Sequence, residues 1–169
     1  LEFPEQLMTI GLTTFNTVVE HKYFMQPLEA AFKMNNENYS PCGSTAMLDA
    51  IGQTIRKLSG LQEISNAEMP TTVVMIILTD GYENASREYT LKNVKEMIEA
   101  REATGTWTFS FLGATLDAVD VAEKMSIRRD NSIAFSKAAM KNEVWDKLGD
   151  SMKGYYDKKR KGEDIRKLF

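Results

Sequence analysis

The stretch Met75-Ile-Ile-Leu-Thr-Asp-Gly-Tyr-Glu-Asn-Ala-Ser-Arg-Glu-Tyr-Thr90 runs four apolar residues straight into Thr79, Asp80 and Gly81 and then turns polar. Its apolar part belongs to a longer run, Thr71 to Thr79, that shows no alternation and follows Pro70. A run without alternation suits a strand buried on both faces of a parallel sheet. The β-branched residues Val73, Val74, Ile76 and Ile77 favour that strand over a short buried helix, because two heavy atoms on Cβ restrict χ1. The strand therefore aims Asp80 from its carboxyl end.

Working outward, "LMTIGLTTF" (Leu7 to Phe15) and "VVEHKYF" (Val18 to Phe24) read as two strands joined by a tight turn at Asn16-Thr17. From Thr45 to Leu58, Met47, Leu48, Ile51, Ile55 and Leu58 fall at helical spacing, with Ser44 or Thr45 placed to cap the start. Thr90 predicts an N-cap for a helix carrying Leu91, Val94, Met97 and Ile98 that ends near Gly105. "WTFSFLGA" (Trp107 to Ala114) alternates as a strand whose aromatic residues belong to the core. A helix after Asp117, a short strand "SIAF" and a long helix with Met140, Val144, Trp145, Leu148, Met152 and Tyr155 inward complete the pattern.

Strands alternating with helices predict an α/β domain with a doubly wound, mostly parallel sheet, helices on both faces and one antiparallel edge strand. One domain, residues 1–157, is expected, followed by a basic tail, 158–169, whose "KKRKGEDIRK" reads as a solvated, frayed end. The net charge of −3, from 21 basic and 24 acidic residues, argues against a nucleic-acid binder. The single cysteine, Cys42, cannot form an internal disulfide, which makes the cytoplasm the default compartment. No apolar run approaches the roughly 20 residues that span a bilayer, so no membrane partner is expected. Self-association is left open.

Ligands of such sheets bind outside the carboxyl ends of strands. Two loops are expected to meet there, "SPCGSTAM" leading into a helix and "TDGYEN" leaving the buried strand. Thr45 offers a hydroxyl and Asp80 a carboxylate, while Gly43 and Gly81 let backbone approach closely. Oxygen-only donors select a hard cation, magnesium or manganese, with calcium allowed. Asp49, one turn beyond Thr45, serves the helix dipole and is not counted as a ligand. A nucleophilic pair of Cys42 with His21, the one histidine, is not favoured.

"YSPCGSTAMLDAIG", "MIILTDGYENASREYT" and "FSFLGATLDAVDVA", in that order and spacing, resemble the von Willebrand factor A domain, closest to its bacterial stand-alone members. The resemblance runs from the strand near Leu7 to at least Phe135. It implies a metal-ion-dependent adhesion site, in which a magnesium ion held by three loops completes its shell with an acidic group of a partner protein. By position, Thr45 resembles the second-loop hydroxyl ligand and Asp80 the third-loop aspartate, with Ser44, Gly81, Tyr82 and Asn84 facing the partner. The family's first loop, Asp-x-Ser-x-Ser, has no match, since Asp49 is the only aspartate before Asp80. The resemblance therefore implies that a strand, the first metal loop and most of a helix are absent at the N-terminus. The absent strand would be central, between those at Leu7 and Thr71, and either the full polypeptide or another chain would supply it. Protein binding rather than catalysis is the expected function. The alternatives are a metal-independent adaptor and a magnesium-dependent phosphate-handling enzyme. The enzyme would need a second carboxylate beside Asp80, where Leu78 and Thr79 stand.

Overall fold

In a computed structural model of the chain, residues 7–31, 34–35, 37–40, 42–66, 71–136, 143–163 and 166–169 are described. The expected strands and helices form in the expected order: β1 (Thr9–Phe15), β2 (Val19–Pro27), α1 (Met47–Asn66), β3 (Val73–Thr79), α2 (Leu91–Ala103), β4 (Trp107–Gly113), α3 (Ala118–Lys124), β5 (Ser132–Ala134) and α4 (Glu143–Arg160). Met140, counted on the inward stripe of the last helix, lies outside the described residues.

Local chemistry explains several of these boundaries. Thr90 caps α2 in a reciprocal box: its hydroxyl accepts from Asn93 N–H, and the Asn93 carboxamide accepts from Thr90 N–H. Gly105, at φ +72°, ends that helix region in a conformation that glycine adopts without a Cβ penalty. β4 is buried along its whole length, as a central strand should be.

The α/β architecture forms with a parallel sheet in the order β3-β4-β5, beside which β1 and β2 make a separate antiparallel pair, as expected if the strand between those at Leu7 and Thr71 is absent. Among the described residues β1 and β3 do not pair. A cavity of about 880 Å³ separates them, lined by every residue of β3 and all but one of β1.

The parallel sheet is covered on both faces. Ile77, Trp107, Phe109 and Phe111 join Met47, Ile51 and Ile55 of α1, Val94 and Ile98 of α2, and Ala118 and Ala122 of α3 in the main core. On the other face Leu112 packs with Phe135 and Val144, while Val74 packs against Leu148, Tyr155 and Leu168. Two polar bonds fix this second face, from the Tyr155 hydroxyl to Thr108 (2.9 Å) and from the Ser110 hydroxyl to the Asn131 carbonyl (2.9 Å). Trp145, placed on the inward stripe of the last helix, is 45% exposed and lines the cavity instead, since the position it faces is open.

The chain end is also not a solvated extension. Leu168 is buried, and the fully buried Asn131 holds it: Asn131 Nδ2 donates to Arg166 O (2.8 Å), and Leu168 N–H donates to Asn131 Oδ1 (2.7 Å). Asn131→Ala removes both bonds and leaves polar groups unpaired, a loss of about 2 kcal/mol. Urea denaturation checks the value.

Candidate functional site

The site lies where α1 begins. Ala46 N–H donates to Asn16 O (2.7 Å), which brings the end of β1 to this point. Thr45 comes from the loop before α1, and Asp80 and Gly81 leave β3 beside it. A Cβ built on Gly81 would lie 2.7 Å from Thr45 Oγ1, so only glycine lets the hydroxyl approach this closely. The two loops that the sequence reading joined, "SPCGSTAM" and "TDGYEN", thus meet at one edge of the structure.

Each loop is held by its own bonds. Thr79 Oγ1 accepts from Gly81 N–H and donates to Gly81 O, both at 3.2 Å, closing the turn that carries Asp80. Asn84 grips Thr45 from both sides: Asn84 Oδ1 accepts from Thr45 N–H (2.8 Å), and Asn84 N–H donates to Thr45 O (3.1 Å). Ser44 N–H donates to Thr17 Oγ1 at 3.2 Å, which ties the same loop to the β1-β2 turn. Gly43, at φ +82°, makes that approach, and a Cβ there would meet Thr17 Oγ1 at 3.0 Å. Ser44, Thr45 and Asp80 all line the mouth of the cavity between the two sheets.

The start of α1 is not capped as the sequence suggested. Leu48 N–H donates to Glu83 Oε2 (2.8 Å) and Asp49 N–H to Ser86 Oγ (3.0 Å), so the loop after β3 supplies the first-turn acceptors. Thr45, whose backbone is engaged by Asn84, keeps its hydroxyl toward Gly81. Glu83 also accepts from the N–H groups of Ala85 (3.0 Å) and Ser86 (2.8 Å) and from the Ser86 hydroxyl (2.8 Å).

Asp49 returns the favour to that loop. Its carboxylate accepts from the N–H groups of Arg87 (2.8 Å), Glu88 (2.9 Å) and Tyr89 (2.8 Å). Burial pushes its pKa up, but these three donors and the Arg87 charge outweigh burial and hold it below the ordinary carboxylate value. Two carboxylates, one on the helix and one on the loop, therefore fasten the Tyr82–Tyr89 segment to α1. Neither Glu83 nor this use of Asp49 was read from the sequence, because the partners lie 35 to 40 residues away along the chain.

The remaining candidates fall as follows. Tyr82 is exposed, and a hydrogen bond to the Asp117 carboxylate raises its phenol above the usual value. Asn84 positions Thr45 as described. Cys42 Sγ accepts from Asn16 Nδ2 (3.7 Å), while His21 Nδ1 bonds the Thr13 hydroxyl (3.0 Å) on the neighbouring strand. Among the described residues no group of three or more His, Cys, Asp and Glu side chains is gathered as metal ligands. Ser44, Thr45 and Asp80, which line the cavity, carry only oxygen donors, the type that a hard cation takes rather than a soft one. No described helix is long and apolar enough to cross a membrane.

Comparison with protein-family models, with curated proteins and with solved structures finds no match.

Proposed function

We propose that the chain is a von Willebrand factor A-like domain that binds another protein through a divalent ion, magnesium or manganese, at the strand ends that carry Thr45 and Asp80. The observation that supports this reading most is the approach of the Thr45 hydroxyl to Gly81, which brings the loop before α1 against the turn that carries Asp80. Thr45 and Asp80 would hold the ion, with Ser44 beside them. When bound, the ion supplies Lewis-acid attraction for a partner's Glu or Asp carboxylate.

The rest of the work belongs to this chain's own residues. Asn84 fixes the Thr45 backbone, Thr79 fixes the turn at Gly81, and Glu83 with Asp49 holds the loop that would read the partner's shape. The proposal assigns no proton transfer to Glu83 or Asp49, whose oxygens accept backbone N–H groups.

Calorimetric titration of magnesium or manganese into the full-length protein tests the reading. Heat and a rise in Tm are expected for the parent, with both lost in Asp80→Ala and weakened in Gly81→Ala, where the new methyl displaces the Thr45 hydroxyl. A parent protein that gives neither heat nor thermal stabilisation would overturn the proposal in favour of a metal-independent adaptor. Phosphoester turnover abolished by Asp80→Ala would overturn it in favour of an enzyme.

A further inference from the structure

Among the described residues β2 pairs with β1 alone, which makes its other side an edge. Asn16 N–H donates to Val18 O (3.1 Å), so these two residues face each other as a hydrogen-bonded pair at the turn. The register continues from them as Phe15 with Val19, Thr14 with Glu20 and Thr13 with His21. Hydrogen-bonded and non-bonded pairs alternate along an antiparallel ladder. Glu20 therefore bonds Thr14, while Val19 and His21 turn their N–H and C=O groups away from β1, to the edge.

The regular part of that edge is short. Beyond His21 the register shifts twice, Met25 takes φ +49°, and Pro27 has no N–H to offer. Bulges and prolines of this kind end pairing along an edge. What stays regular is Val19-Glu20-His21, with Lys22 next. The side chains of Glu20 and Lys22 form an ion pair on the exposed face of the strand.

The charges on this edge are self-complementary. Only residues whose backbone faces the edge bond across it, so an antiparallel second copy sets His21 against His21, Val19 against His21, or Val19 against Val19. With His21 opposite His21, Glu20 of each copy stands opposite Lys22 of the other, in the non-hydrogen-bonded position where side chains come closest. With Val19 opposite His21, Glu20 meets Glu20, and like charges directly opposite each other repel. With Val19 opposite Val19, Glu20 faces Val18 and the charges go unmatched. Charge thus selects the first register.

We propose that β2 is a self-association edge, through which two copies of this chain pair antiparallel over Val19–Lys22 about a two-fold axis at His21. Their hairpins join into one four-stranded sheet in the order β1, β2, β2, β1. Two hydrogen bonds form at the axis, with His21 N–H of each copy donating to His21 O of the other. A pair of Glu20 with Lys22 flanks the axis on each side, so each Lys22 lies between two carboxylates. So short a ladder makes a reversible dimer, not a permanent one. The edge includes neither Thr45 nor Asp80, and its test is made in chelator so that the dimer and the cation reading fail separately.

The experiment is sedimentation equilibrium of the full-length protein in EDTA at low salt, from micromolar to millimolar concentration. The parent is expected to pass from monomer to dimer across that range. Lys22→Glu and Glu20→Lys each set like charges opposite one another, and each variant alone should dimerise at least about tenfold more weakly. An equimolar mixture of the two variants restores opposite charges at both positions and should form a heterodimer as tight as the parent dimer. A parent that stays monomeric throughout, a dimer that neither reversal weakens, or a mixture no tighter than its separate components would overturn the proposal.

Discussion

Asp49→Ala is expected to lower the stability of the fold by about 3 kcal/mol, a fall in Tm of roughly 6–12 °C for a chain of this size. The side chain is 8% exposed and receives three backbone N–H groups, so its removal leaves three donors unpaired where water reaches poorly. Urea denaturation at neutral pH measures the loss. Stability equal to the parent would show that the Arg87–Tyr89 segment is not held by this carboxylate.

The same residue sets a pH dependence. Its pKa in the folded protein lies below the ordinary value of 3.8, so the folded state favours the charged form and the unfolded state binds the proton more readily. The contribution is complete above that ordinary value and is lost as pH falls through the lower folded value. The advantage of the parent over Asp49→Asn should therefore be full at neutral pH and shrink below about pH 4. An advantage that stayed constant down to pH 2 would contradict this assignment.

Gly52→Val is expected to cost about 2–3 kcal/mol. A glycine inside a helix is unfavourable by roughly 1 kcal/mol against alanine, and here the packing explains why it is needed. A Cβ at position 52 would lie 2.4 Å from Tyr89 Cδ1 and 2.5 Å from Tyr89 Cγ. The ring cannot withdraw easily, because Tyr89 N–H is bonded to Asp49 Oδ1 at 2.8 Å and the side chain packs on the main core. Denaturation of Gly52→Val, Tyr89→Ala and the double variant gives the coupling, and the valine penalty should largely vanish once the ring is gone. Simple additivity of the two changes would contradict the contact.

Local signals carried the elements well. The unalternating run before Asp80 reads as a buried strand because its β-branched residues restrict themselves, and Thr90 reads as a cap because its partner, Asn93, is only three residues away. Signals that needed a distant partner did not carry. The polar tail looks solvated until Asn131 is placed against Leu168, and Trp145 looks like core until the position it faces proves open. Capping of α1 by Glu83 and Ser86 has no local trace, since those residues join the helix only when the loop after β3 folds over it.

By itself, the sequence determined the order of strands and helices, the buried character of β3 and β4, and the placing of Thr45 and Asp80 at loop positions. Those properties follow from periodicity, branching and capping, all of which act within a few residues. Only the tertiary structure decided that Gly81 receives the Thr45 hydroxyl and that Asp49 and Glu83 fasten one loop to α1. Backbone groups that pair across long stretches of chain are specified by the whole packing, and no short window of residues contains both partners.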